Sequence, residues 1–97
     1  MSDLRVRRNM TEDEVSRALE VLRGEIERFV VLYWKTHKRA VKLRSLGQQF
    51  GRRARMLGTT PRDLLAERPE VYLMHMNDEG GTTVMHMGAV EANAGPE

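Results

Sequence analysis

The amino-acid sequence predicts an α+β fold, with three helices in the first two thirds of the chain and a β-hairpin after them. Apolar residues recur at steps of three and four from Val15 to Tyr33, the period of one helix face. Two further helix starts are marked by capping residues at Ser45 and Thr60. After Pro69 the period changes to two, which is the strand period. The chain has 97 residues, 40% hydrophobic and 31% charged, which suits one small folded domain. A multi-domain enzyme is excluded by that length, and a deep catalytic pocket is not expected.

Residues 1–10 carry no apolar period and read as a flexible basic arm with Arg5, Arg7 and Arg8. Thr11 and Glu14 form a capping box, in which the hydroxyl accepts a first-turn amide and the carboxylate reaches back to the cap amide. Glu12, Asp13 and Glu14 also suit the positive end of the helix dipole. Val15, Leu19, Leu22, Ile26, Phe29, Val30 and Tyr33 then trace one long amphipathic helix over about Glu12–Thr36. Trp34 is expected in the core or at a hinge. Ala40 to Leu43 alternates, predicting a short strand with Val41 and Leu43 on one side.

Ser45 and Gln48 make a second capping box, and the helix that follows carries Leu46, Phe50, Ala54 and Leu57 on one stripe. Gly47 and Gly51 lie one turn apart and lower helix propensity, so close packing on a neighbour is expected there. Gly58 is placed to end this helix in the left-handed region. Thr60 caps a third helix with Pro61 in its first position, and Pro69 limits it to about Pro61–Arg68.

Val71–Asn77 and Thr82–Gly88 then read as strands. A two-residue Gly80-Gly81 turn sets Met74 opposite Met87, Met76 opposite Met85 and His75 opposite His86. Under that register Tyr72, Met74, Met76, Met85 and Met87 share one face, with Val71, Leu73, His75, Val84 and His86 on the other. Residues 89–97 read as a flexible tail, which leaves 11–88 as the folded domain. The order of elements is that of a winged helix-turn-helix, the hairpin being the wing.

Charge is segregated along the chain. Arg28, Lys35, Lys38, Arg39, Lys42, Arg44, Arg52, Arg53, Arg55 and Arg62 lie in one stretch without a single Asp or Glu. The remainder holds six basic residues against all fourteen acidic ones, so the middle third carries +10 and the rest −8. Such a stretch attracts a polyanion. The expected nucleic-acid contacts are Lys38, Arg39, Lys42, Arg44, Gln48, Arg52, Arg53, Arg55 and Arg62. The third helix offers Arg62, Asp63, Glu67 and Arg68, a balanced set poorly suited to reading base edges in a major groove. Backbone and shape recognition fits the distribution better.

The run from Val41 through Lys42, Leu43, Arg44, Ser45, Leu46, Gly47, Gln48 and Gln49 to Phe50 resembles the second-helix region of LOTUS (OST-HTH) domains. The following Leu57-Gly58 and the stretch Pro61-Arg62-Asp63-Leu64-Leu65-Ala66-Glu67-Arg68-Pro69-Glu70-Val71-Tyr72 are similar to the same pattern. The resemblance covers about Glu12 to Gly88, and its specific part is Val41 to Leu73. It implies a small RNA-binding module, with G-rich and G-quadruplex RNA among the ligands. An extended subclass binds a DEAD-box helicase through an added C-terminal helix, whereas the tail here, with Gly95 and Pro96, is similar to the minimal type.

Two alternatives stay open: a protein-interaction or weakly dimerising module using the hairpin edge or the long helix, and a winged-helix regulator of duplex DNA. With no cysteine, a disulfide scaffold, thiol catalysis and a cysteine-ligated zinc are excluded. His75 and His86 have no evident third ligand, so no metal is expected, and no grouping has catalytic spacing. No cofactor and no enzyme activity are expected. The longest apolar run, Phe29 to Trp34, is far short of the ~20 residues of a membrane span. The polar N-terminus lacks a signal peptide's apolar stretch. An intracellular protein, cytoplasmic or nuclear, is the expectation.

Overall fold

The computed structural model describes residues 10–78 and 80–93, so most of the expected arm and the end of the tail lie outside the described residues. Its order is α1 (Glu12–His37), β1 (Val41–Lys42), α2 (Leu43–Met56), α3 (Pro61–Ala66), β2 (Tyr72–Met76), β3 (Thr82–His86) and α4 (Met87–Asn93). The strands form one antiparallel sheet in the order β1-β3-β2. The fold is thus α+β, with four helices among the described residues and a three-stranded sheet.

Local signals set the start of α1. The Thr11 amide donates to Glu14 Oε1 and the Glu14 amide donates to Thr11 Oγ1, both at 3.1 Å. The Thr11 amide, and then its hydroxyl, hold the Glu14 carboxyl below the usual carboxylate range. The helix ends at Lys38, whose φ of +57° is left-handed and whose amide donates to the Trp34 carbonyl at 2.8 Å. A non-glycine residue there is uncommon. Leu22, Ile26 and Val30 are the buried stripe of α1.

α2 starts earlier than the capping signal indicates. Lys42, in extended conformation, is the cap and makes no side-chain cap bond, so Ser45 lies inside the first turn and its expected capping box does not form. The pairing of Val41 with Val84 fixes the chain just before Leu43, and the helix begins where that pairing stops. Leu43 therefore belongs to the helix rather than to the strand. Leu46, Phe50 and Ala54 are buried as the stripe predicts. Gly47 and Gly51 are not packing contacts: a Cβ on either would meet nothing within 4 Å. Gly58 has φ +82° and closes the helix, its amide donating to Arg55 and the Thr59 amide to Ala54 at 3.0 and 2.9 Å. That pair of bonds is a Schellman motif.

In α3, Thr60 Oγ1 accepts the Asp63 amide at 3.1 Å and Pro61 occupies the first turn. The helix stops at Ala66, two residues before the expected Arg68, and Pro61, Leu64 and Leu65 are buried.

The hairpin register differs from the expectation by three residues. Tyr72 pairs with His86, Leu73 with Met85, Met74 with Val84, His75 with Thr83 and Met76 with Thr82. The turn is the cause. The Asn77 amide donates to the Gly81 carbonyl at 2.8 Å, and Gly80 takes a left-handed φ, +85°. The connection is therefore three residues long, with glycine in the left-handed position. An odd shift exchanges the faces. Val84, fully buried, and His86 join Tyr72 and Met74 on the inner side, while Met85 turns outward with Leu73. His75 and His86 no longer face each other.

Residues 87–93 are helical, where the end of the Thr82–Gly88 strand and then a loose tail from residue 89 are expected. His86 Nδ1 accepts the Ala89 amide at 3.1 Å, which caps the turn, and Ala89 is buried where α4 meets α1 and β3. Burial of that methyl is a tertiary effect that no local period displays. The core joins α1, α2 and α3 to the sheet through residues such as Ile26, Leu46, Phe50, Leu65, Tyr72 and Val84.

Candidate nucleic-acid interface

α2 presents two chemically different sides. Leu46, Phe50 and Ala54 face the core. Arg44, Gln48, Arg52 and Arg55 follow one another at steps of four, four and three, which places them together on the opposite, exposed side. Arg44, Arg52 and Arg55 make no ion pair with any described residue. Lys42, also exposed, stands at the helix start. The first turn of α2 has no acidic residue and no side-chain cap, unlike that of α1 with its three carboxylates. Its amides therefore add positive potential beside Lys42 and Arg44.

The other expected contacts divide. Lys38 and Arg39 are exposed in the short link between α1 and β1. Arg62 is exposed on α3, a separate element. Arg53 turns the other way, toward α1: its Nη1 and Nη2 donate to Glu25 Oε1 and Oε2 at 2.7 and 2.9 Å. This bidentate pair holds the Glu25 carboxyl below its ordinary range and raises the guanidinium further. Arg53 is committed to joining two helices.

Acidic residues outside the basic stretch are similarly engaged. Glu67 of the α3 cap pairs with Arg23 at 3.1 Å, and Arg68 lies 3.6 Å from Glu27. Glu27 Oε2 is 2.8 Å from His86 Nε2. Because Nδ1 accepts the Ala89 amide, Nε2 is the nitrogen that carries the hydrogen and donates to Glu27. Tyr72 stacks edge-on against this ring at 5.6 Å, and burial, with the Glu27 charge, pushes its hydroxyl up to about 12. The cluster ties α1, β2, β3 and α4 together. No group of three His, Asp or Glu able to hold a metal occurs among the described residues.

Ring contacts that the charge pattern does not display also emerge on α1. Phe29 and Tyr33 stack at 6.4 Å, the His37 ring lies 4.3 Å from Tyr33 tilted by 43°, and Phe29 meets Phe50 edge-on at 5.5 Å. The four-residue spacing of positions 29, 33 and 37 is the signal that could have found them. No described helix is long and apolar enough to cross a membrane.

No family model, curated protein or solved structure matches this chain. The site's own chemistry is an outward row of guanidinium groups with no ion pair among the described residues, a helix start without a side-chain cap, and aromatic rings at the neighbouring end of α1.

Proposed function

We propose that the protein is a non-enzymatic RNA-binding module of the LOTUS type, with a winged helix-turn-helix architecture. The element order and the β1-β3-β2 sheet support the architecture, with β2 and β3 as the wing. One observation carries the function: Arg44, Arg52 and Arg55 share the outer side of α2 with no ion-pair partner among the described residues, while adjacent Arg53 is used internally. Phosphates of a strand bind this row, Gln48 adds a hydrogen-bonding group, and Lys38, Arg39 and Lys42 extend the surface toward α1.

Duplex DNA is the weaker reading. Just after α3, Glu67 and Arg68 are engaged with Arg23 and Glu27, which leaves Arg62 nearly alone to read bases. Residues 87–93 form a helix, so a C-terminal helix of the kind that the helicase-binding subclass uses is present in part. A protein-interaction reading draws on a different observation, the exposure of Leu73 and Met76 on edge strand β2 (46% and 66%).

A binding titration with G-rich single-stranded RNA, quadruplex RNA and duplex DNA at two salt concentrations separates the three. RNA binding is expected to weaken with salt at a log–log slope of about 0.7 per phosphate contact. Arg52→Glu with Arg55→Glu abolishes it without shifting the melting temperature, and Arg62→Glu has a minor effect. If Arg62→Glu alone abolished binding, the α3-centred DNA reading would replace this one. Salt-insensitive self-association with no nucleic-acid binding would select the hairpin interface instead.

A further inference from the structure

The last turns of α1 hold a cleft lined by Phe29, Leu32, Tyr33, Thr36 and His37. Its chemistry is amphipathic. Leu32 is 64% exposed at its lip and adds apolar surface open to solvent beside the rings. The rings of Phe29, Tyr33 and His37 run along it as a ladder, with centroids 6.4 and 4.3 Å apart. Phe50 braces the inner end of that ladder edge-on, while His37 is exposed at the outer end. The Tyr33 and Thr36 hydroxyls make no hydrogen bond to a described residue, so donors and acceptors stand ready beside an apolar floor. Lys35, three residues after Leu32, and Arg39, two residues after His37, are exposed cations, and the chain holds no acid from Arg28 to Arg62.

We propose that this cleft takes an unpaired nucleobase of a bound RNA strand, stacked on the Tyr33–His37 rings while its flanking phosphates meet Lys35 and Arg39. The inference rests on the RNA-binding reading and gives it a base-contacting element that the α2 row lacks. Charge decides the occupant. An apolar protein segment would use Leu32 and the rings equally well, but gains nothing from cations with no acid among them. A polyanion with a flat π-face uses both. A base must be unpaired to enter, so the cleft selects single-stranded over duplex nucleic acid.

The test compares a single-stranded RNA with an abasic ribose–phosphate strand of equal length, read by fluorescence anisotropy. Both keep the phosphates, so the α2 row binds both. The base-bearing strand is expected to bind about tenfold more tightly, the scale of one stacked base. His37→Ala and Tyr33→Leu each remove that advantage and leave the abasic strand's affinity unchanged. His37 is exposed, so its variant keeps the fold even if the Tyr33 variant does not. A 2-aminopurine in the strand is quenched by the unmodified protein and recovers its emission in the His37 variant. Equal affinity for the two strands, or a base advantage that survives His37→Ala, would overturn the cleft while leaving the RNA reading intact. Failure of both strands to bind at low salt would end both readings together.

Discussion

Arg52 and Arg53 are neighbours in sequence and about 100° apart around α2, yet the fold uses them in opposite ways. Arg53 reaches Glu25 with both terminal nitrogens and closes the seam between α1 and α2. Arg52 projects into solvent beside Arg55 and pairs with nothing described. The same side chain thus serves assembly on one side of the helix and is left available on the other. The difference comes from the helical period alone: one residue's rotation moves a guanidinium from a carboxylate-bearing seam to a face with no acid.

The largest expected effect lies on the inner side. Phe50 is 5% exposed and meets Phe29 edge-on, so Phe50→Ala should destabilise by about 3–5 kcal/mol in a denaturant melt, from lost transfer energy and the cavity left behind. The outer-face pair Arg52→Glu and Arg55→Glu should leave the same melt unchanged. An equal loss from both would erase the distinction between the two sides.

Glycine substitution sharpens the comparison in the other direction. Nothing lies within 4 Å of where a Cβ on Gly47 or Gly51 would stand. Each change to alanine should therefore stabilise by about 0.5–1 kcal/mol through lower backbone entropy of the unfolded chain. That raises the melting temperature by several degrees, at roughly 4–8 °C per kcal/mol for a domain this small. A fall in RNA affinity without loss of stability would extend the interface onto the bare backbone beside Arg44 and Arg55.

The smallest effect concerns the seam's ion pair, which is solvent-exposed and screened by salt. Arg53→Glu should lower the melting temperature slightly, and the swap Glu25→Arg with Arg53→Glu should restore it. The pH dependence has a fixed sign. Glu25 is held below the usual carboxylate value, so its contribution is present at neutral pH and is lost as acid takes the solution down through that lowered value. A melt series on Arg53→Ala should show less of that acid dependence than the unmodified chain.

What could be read from the residues was whatever neighbours along the chain decide. The Thr11–Glu14 box and the Thr60–Pro61 start depend on groups three residues apart, and both form as expected. The stripe of Leu46, Phe50 and Ala54 follows from the helical period. The misread elements depend on distant partners. Ser45 does not cap because β1, paired to β3, sets where α2 begins. The hairpin slipped by three because either glycine of the pair could take the left-handed position, and Gly80 does. Residues 87–93 are helical through a cap from the His86 ring and a methyl buried against α1. Within the site, the exposure of Gln48, Arg52 and Arg55 was legible from spacing, and Arg44 joins their row because α2 begins before Ser45. The loss of Arg53 was not, because nothing local says that Glu25 lies across from it.

α1 has one consequence for how the molecule meets a polyanion. It opens on Glu12, Asp13 and Glu14, ends on Lys35 with Lys38 and Arg39 just beyond, and its 26 residues span about 39 Å. A negatively charged strand pushes on one end of that rod and pulls on the other, which is a torque. At about 0.01 M salt the screening length is roughly 30 Å, so both ends feel the same strand and the protein is turned before it touches. At about 0.15 M the length falls to roughly 8 Å, and each end responds only to what lies next to it. Association with the proposed RNA would then slow with salt for a reason separate from lost contacts: the protein stops arriving the right way round.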